Sequence, residues 1–240
     1  TDIRVECDAK VYRTDSEEEA RKTFNKNVLF DIQGDKLILT SQEKWMKLQT
    51  SIYIPEAQYE KVKVRLFNGS IESENLKATE FSAKTVNGKI QLDRLMSHEA
   101  DVETANGQIE LRDGNVKHFE GETVNGPIKL DGVFGEVDAQ SFTGNIVCTV
   151  KEQPCEEIRV KSTAGNVRLY VPETMPIDGE LKSKVGNLTV TLNNIQVMEE
   201  KVDVISKYMK FKSANEVDKT TYIDVDTRTG SITIKGLLEI

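Results

Sequence analysis

The stretch FNGSIES (Phe67–Ser73) returns as VNGKIQL (Val86–Leu92), ANGQIEL (Ala105–Leu111) and VNGPIKL (Val124–Leu130), with Gly69, Gly88, Gly107 and Gly126 spaced by 19 residues. Looser copies follow in FTGNIVC (Phe142–Cys148), TAGNVRL (Thr163–Leu169), KVGNLTV (Lys184–Val190) and RTGSITI (Arg228–Ile234). A fixed period of this size marks a solenoid: one short unit cannot bury its apolar face alone and must stack on its neighbours.

Each unit reads as two strands. Before the glycine, Phe81, Ala83 and Thr85 alternate with Ser82 and Lys84; after it, Ile90 and Leu92, Ile109 and Leu111, and Ile128 and Leu130 keep the same period of two. Such alternation describes a strand with one buried face. Asn-Gly between alternating runs ordinarily signals a hairpin. Here equivalent residues match from unit to unit, which a parallel stack requires and a chain of hairpins does not. Asn68-Gly69, Asn87-Gly88, Asn106-Gly107 and Asn125-Gly126 are therefore expected to be turns, with both residues tolerating positive φ and the asparagines laddering. The fold class is all-β, a single-domain β-solenoid of the parallel β-helix or β-roll type, with turns of about 19 residues and a β-rich N-terminal cap. About eight units stacked at roughly 4.8 Å make a rod on the order of 40 Å long.

The formal charge of −8 argues against nucleic acid, whose phosphates need clustered Lys and Arg. A neutral or cationic partner fits better. No apolar run approaches the roughly 18 residues of a membrane-spanning helix, and no signal segment opens the chain, which starts at Thr1. The odd count of 3 cysteines without CxxC spacing suits neither a disulfide framework nor a zinc site. Cys148 takes the place of a core leucine, Cys7 falls in an expected strand, and Cys155, after Pro154, is expected to be the exposed thiol.

The flanks differ from the repeat. Residues 1–66 read as the cap of the stack, with strands over Ile3–Arg13 and Val28–Thr40, the second broken by Gln-Gly-Asp at 33–35. Ser16 and Glu19 make a capping-box pattern that predicts a short helix between them. Regular coils fill 67–192, an insertion without assigned structure fills 193–219, and 220–240 supplies the final turn, all within one continuous domain.

Outward positions on the first strand stack as Ser82, Asp101, Glu120 and Asp138, beside Lys84, Glu103, Glu122 and Gln140. Asp101, Glu103, Glu120, Glu122 and Asp138 thus share one face, where like charges on neighbouring strands oppose each other. They are the candidate partner-binding residues, open to a divalent cation, a basic peptide or a basic patch on another protein. The second outward face mixes signs, with Glu72, Gln91, Glu110 and Lys129 in one column and Glu74, Asp93, Arg112 and Asp131 in another. Enzymatic readings find little support. His98 and His118 sit in no metal-ligand or nucleophile motif, no GxxxxGK loop occurs, and Trp45 is the sole tryptophan for sugar stacking. A polysaccharide-cleaving solenoid would need a paired acid and carboxylate held in a cleft. No catalytic residue, metal site or cofactor is assigned.

The Ile54-Pro55 strand end, GDKLIL (Gly34–Leu39), the xNGxIxL units and TRTGSITIKG (Thr227–Gly236) together resemble a bacterial β-solenoid family labelled adhesin, closest to the solenoid region of YvlB/LiaX-type cell-envelope stress proteins. The resemblance implies a non-enzymatic interaction or regulatory module in the response to antimicrobial peptides. Its partner would be an envelope or membrane signalling protein, with a cationic peptide as a further candidate. It also implies a cell-envelope or surface location in a Gram-positive bacterium, with a cytoplasmic one as the other option. A surface adhesin or glycan-binding solenoid is the alternative reading.

Overall fold

The computed structural model describes residues 3–12, 14, 16–33, 36–41, 46–152, 154–214 and 219–237. It forms two compact units, Thr1–Glu56 and Ala57–Ile240. The smaller comprises β1 (Arg4–Val11), α1 (Glu17–Asn27), β2 (Val28–Gln33), β3 (Lys36–Ser41) and β4 (Met46–Tyr53). Strands β1 and β4 pair antiparallel, as do β2 and β3. Helix α1 starts where the sequence predicts, the Glu19 amide donating to the Ser16 hydroxyl at 3.2 Å. Gly34 and Asp35 of the expected turn, and Trp45, lie outside the described residues.

The larger unit holds β5 (Gln58–Asn68), β6 (Ile71–Glu74), β7 (Lys77–Asn87), β8 (Ile90–Asp93), β9 (Met96–Asn106), β10 (Ile109–Asn125) and β11 (Ile128–Thr143). It continues through β12 (Ile146–Val150), β13 (Glu157–Ala164), β14 (Val167–Pro172), β15 (Ile177–Val185) and β16 (Leu188–Thr191). Strands β17 (Ile195–Val202), β18 (Lys207–Ser213), β19 (Thr221–Thr229) and β20 (Ile232–Leu237) complete it. The stack begins at β5 rather than at Phe67, because Val62 already lies opposite Phe81 in a parallel register. On one face the parallel order is β5-β7-β9-β10-β11-β13-β19-β15; the other runs β6-β8-β10-β11-β12-β14-β20-β16. The chain is a β-solenoid.

Stacking of equivalent residues builds the core. Ile90, Ile109, Ile128, Ile146, Val167 and Ile232 form one buried column. In another, Phe81, Ala100, Phe119 and Val137 alternate large with small, so each ring fills the space that its smaller neighbour leaves. Phe119 also meets Phe134 edge-on at 6.1 Å between ring centroids. Truncating a member such as Ile109 to Ala would cost about 2–5 kcal/mol.

The turn asparagines do not take positive φ, whereas the turn glycines Gly69, Gly126, Gly186 and Gly230 do; among the described non-glycine residues that backbone occurs at Asn75, Arg94, Asp113 and Asn194, three of which mark the opposite corner of successive coils. Gly69 is favoured by its φ alone, Gly126 by both φ and close approach, and Gly88 and Gly107 by close approach. A Cβ on Gly88 would lie 1.9 Å from the Gly69 carbonyl oxygen, and one on Gly107 1.9 Å from that of Gly88. Beneath them runs a column of buried hydroxyls, on the face where alternation places Thr85, whose bonds to the turn the sequence did not reveal. Thr85 donates to the Gly69 carbonyl at 3.0 Å, Thr104 to Gly88 at 3.0 Å and Thr123 to Gly107 at 3.1 Å, and Ser141, Ser162, Thr227 and Ser183 repeat the bond. Each coil is thus fastened to the one before it by a side chain three residues ahead of the glycine.

The order of coils departs from the order of the chain. Strands β19 and β20 lie between β13–β14 and β15–β16, so the described part of 220–240, Thr221–Leu237, supplies an internal coil and not the terminal one. Repeat matching identifies a coil but not its neighbours, because every coil presents the same face above and below. Within the 193–219 insertion, β17 and β18 form an antiparallel hairpin, and β18 pairs antiparallel with β15. Its Phe211 is fully buried, with the ring against Gly179, where a side chain is missing from the core column. The hairpin therefore closes the first face of the stack at this end.

Candidate functional site

Outward side chains of β7, β9, β10 and β11 place the predicted acidic residues side by side. Asp101 lies opposite Glu120 and Glu120 opposite Asp138; Glu103 lies opposite Glu122. Lys84 reaches two of them, at 2.7 Å from Asp101 and 3.0 Å from Glu103. Asp138 accepts a hydrogen bond from Gln140 at 3.1 Å. Glu120 and Glu122 form no ion pair among the described residues. Burial, followed by the nearby charges of Asp101, Glu122 and Asp138, raises the Glu120 carboxyl above its ordinary value.

Sequence reading missed a parallel acidic column two residues earlier on the same strands. Glu80, Glu99, His118, Glu136 and Glu157 stand in register there. His118 Nδ1 lies 3.0 Å from Glu136 Oε2, and its ring centroid is 5.2 Å from that of His98. The two columns border a shallow groove of about 460 Å³ that runs across successive coils, with Lys61 and Lys63 at one end and Arg159 at the other. The signal was available in the sequence, because positions two apart on a strand share a face. Asp101 and Glu120 belong to the groove, while Glu103 and Glu122 lie beyond its lining. Among the described residues no three His, Cys, Asp or Glu side chains converge as metal ligands, so the divalent-cation option has no preformed site.

A further column on this face is apolar. Phe67, Val86, Val124 and Phe142 precede the turn in their units and point outward, Phe67 being 71% and Phe142 60% exposed, with the small Ala105 at this position in the unit between Val86 and Val124. The turn residues Asn68, Asn87, Asn106 and Asn125 form a side-chain ladder beside it, each amide donating to the preceding carbonyl oxygen at 2.8–2.9 Å. Later coils replace that ladder with Asn145 and Asn166, which accept from the next coil's backbone at 2.8 Å.

The second outward face is cross-linked instead. Arg112 pairs with Asp93 at 3.6 Å and Glu110 at 3.1 Å, Lys89 with Glu110 at 3.5 Å, Arg94 with Glu74, and Lys151 with Asp113 at 2.6 Å and Asp131 at 2.8 Å. The cysteines offer no chemistry to either face. Cys148 is buried as expected, whereas Cys155, expected to be exposed, is only 3% accessible and its thiol is pushed up to about 12 by burial. Pro154 leads into β13, and its neighbour turns inward beneath it.

The uncharacterized protein YvlB of Bacillus subtilis (strain 168) is 50% identical over 234 residues, which is 98% of this chain and 64% of that relative's length. No solved structure matches the chain. Residues 2–235 match the model of the Toastrack DUF4097 family, and the repeated coils, turn glycines and near-complete coverage place this chain in that family.

Proposed function

We propose that this chain is a non-enzymatic interaction module of a cell-envelope stress protein. Its acidic face, Asp101, Glu103, Glu120, Glu122 and Asp138 together with Glu80, Glu99 and Glu136, docks a cationic segment of an envelope or membrane signalling partner. The observation that carries the reading is the stacking of Asp101, Glu120 and Asp138 in direct register with Lys84 as the cation paired to that column. Like charges so placed oppose the fold, and a basic partner would relieve them while being steered to the surface. The apolar column Phe67–Phe142 at the margin adds area that such a partner would cover. The envelope assignment rests on the resemblance to YvlB/LiaX-type proteins.

The test is cross-linked capture from an envelope extract, with the native chain and Asp101→Lys/Glu120→Lys/Asp138→Lys as baits. Recovery of one membrane signalling protein by the native bait alone is the expected result; equal recovery by a folded triple variant sinks the reading.

One observation favours a second reading, polysaccharide cleavage. Glu120 is raised and lies beside carboxylates in a groove, as an acid catalyst would. Against it, the groove's aromatic rings, Phe81 and Phe119, are each only 2% exposed and offer no sugar platform. Release of reducing ends from a polysaccharide, abolished by Glu120→Gln, would establish that reading in place of the first.

A further inference from the structure

Asparagine loses its side-chain amide most readily when glycine follows it, because glycine leaves its own backbone nitrogen unshielded. The chain carries this pair at Asn68, Asn87, Asn106 and Asn125, which stand in register at one corner of consecutive coils. In the reaction the glycine nitrogen gives up its proton and attacks the asparagine Cγ. The new C–N bond closes a succinimide ring, and the amide nitrogen leaves as ammonia. Water then opens the ring at one carbonyl to give aspartate, or at the other to give isoaspartate, which carries one extra methylene in the backbone. Nothing is oxidised or reduced, and water is the one co-reactant.

The attacking nitrogens are tied alike: the amides of Gly69, Gly88, Gly107 and Gly126 donate to the carbonyls of Asn87, Asn106, Asn125 and Thr143 at 2.9–3.0 Å. The side chains are not. Asn87 and Asn106 each donate one ladder bond and accept another, Asn125 donates to Asn106, and Asn68 accepts from Asn87. Among the described residues, Asn68 is thus the ladder member whose departing nitrogen donates to nothing. Its coil is also held from one side, since β5 pairs with β7 and β6 with β8, while the coils of the other three lie between two neighbours. Room for the product differs in the same direction. A Cβ on Gly88, Gly107 or Gly126 would lie 1.9 Å from a carbonyl oxygen of the coil before, whereas one on Gly69 would meet a Leu66 methyl at 3.5 Å. A backbone bent into the ring, or lengthened by a methylene, finds space at Gly69 and none at the other three.

We infer that Asn68 is a site of slow, non-enzymatic deamidation, and that the stacked ladder shields Asn87, Asn106 and Asn125 from the same reaction. The first coil tolerates the change. An aspartate at 68 still accepts the Asn87 amide, and its charge strengthens that bond. An aspartate at 87 or 106 would lose its donor and set a carboxylate against the carbonyl oxygen it formerly bonded. The product places a negative charge beside the exposed Phe67, at the end of the apolar column. This chemistry stands or falls independently of partner docking.

The test is peptide mapping by mass spectrometry of the full chain aged at mildly alkaline pH in heavy-oxygen water, beside a sample aged in urea. In the folded chain the label should enter at Asn68 first. Asn87 and Asn106 should react on the order of ten-fold more slowly, because a further side-chain bond and a second neighbouring coil must open. In urea all four sites should react at comparable rates. Asn87→Ala removes the bond that restrains Asn68 and the acceptor that holds Asn106, so it should speed uptake at both by a few-fold. Asn68→Asp should keep the native thermal midpoint, showing that the modified chain stays folded. Uptake at Asn87 or Asn106 as fast as at Asn68 in the folded chain would overturn the inference. So would an unreacted Asn68 in the folded chain over a time in which the urea sample reacts at all four sites.

Discussion

The two outer faces of the stack are built by the same coils, in the same register, and both carry ion pairs, yet they distribute charge differently. On the second face Arg112 and Lys151 each contact two carboxylates, so side chains of adjacent coils compensate one another. On the first face Asp101, Glu120 and Asp138 repeat the same sign in three consecutive coils. A solenoid makes either outcome easy, because any residue type at a repeated position becomes a column. The difference separates a face whose charges alternate in sign from one where three carboxylates stack, with Lys84 bridging Asp101 and Glu103 and Arg159 opposite Asp138.

The largest effect is expected where both faces depend on one atom. Gly107→Ala would drive a Cβ to 1.9 Å from the Gly88 carbonyl oxygen, which a backbone held on both sides cannot avoid. We expect a loss of about 3 kcal/mol or more, read as a fall in denaturation midpoint; a variant as stable as the native chain would show that the coils are not locked as described. Next comes Thr104→Val, which leaves the Gly88 carbonyl without its 3.0 Å hydroxyl donor at a site that is 1% exposed. A cost of about 1–3 kcal/mol is expected in urea unfolding.

Smaller effects should distinguish the faces by sign. Removing the Glu120 charge relieves opposition, so Glu120→Gln should stabilise at pH 7 by a few tenths to about 1 kcal/mol. Because this carboxyl is raised in the folded state, its penalty is fully present above the folded value and vanishes as pH falls below the ordinary 4.5. The gain in thermal midpoint should therefore disappear by about pH 4. Asp113 on the second face has the opposite shift, lowered first by its hydrogen bond from Lys151 and then by that residue's charge. Its contribution is stabilising above the ordinary 3.8 and is lost only as pH falls through the lower folded value. Asp113→Asn should give a small destabilisation that persists at pH 4.5 and fades only in stronger acid. Matching pH profiles for the two variants would erase the distinction between the faces.

Much of this was legible because repeats convert one local reading into many. The alternation around Phe81 and Ile90 gave the buried columns, and equal spacing gave the parallel register that put Asp101, Glu120 and Asp138 together. Three features resisted. Turn chemistry explained the positive φ of Gly69 and Gly126 but not the constraint at Gly88 and Gly107, where neighbouring backbone excludes a side chain, which is visible only once coils are stacked. The position of Thr221–Leu237 inside the stack is set by which coils pair, and equivalent coils carry no mark of their neighbours. The hairpin mixed periods because Met209 and Phe211 face the core while Lys210 and Lys212 face outward, and its tip has apolar residues without a core to fill. Cys155 was misjudged for a related reason: a residue after proline in an irregular segment can still be the one that plugs the core.

The central claim is that the first face, and not the second, holds the partner. The most direct measurement compares capture of the envelope partner by two charge-reversed baits, Asp101→Lys/Glu120→Lys/Asp138→Lys on the first face and Glu74→Lys/Asp93→Lys/Asp131→Lys on the second. With both variants folded, loss of capture and of its salt dependence in the first-face variant alone is the predicted result. Equal loss in both, or retention by the first-face variant, would contradict the account.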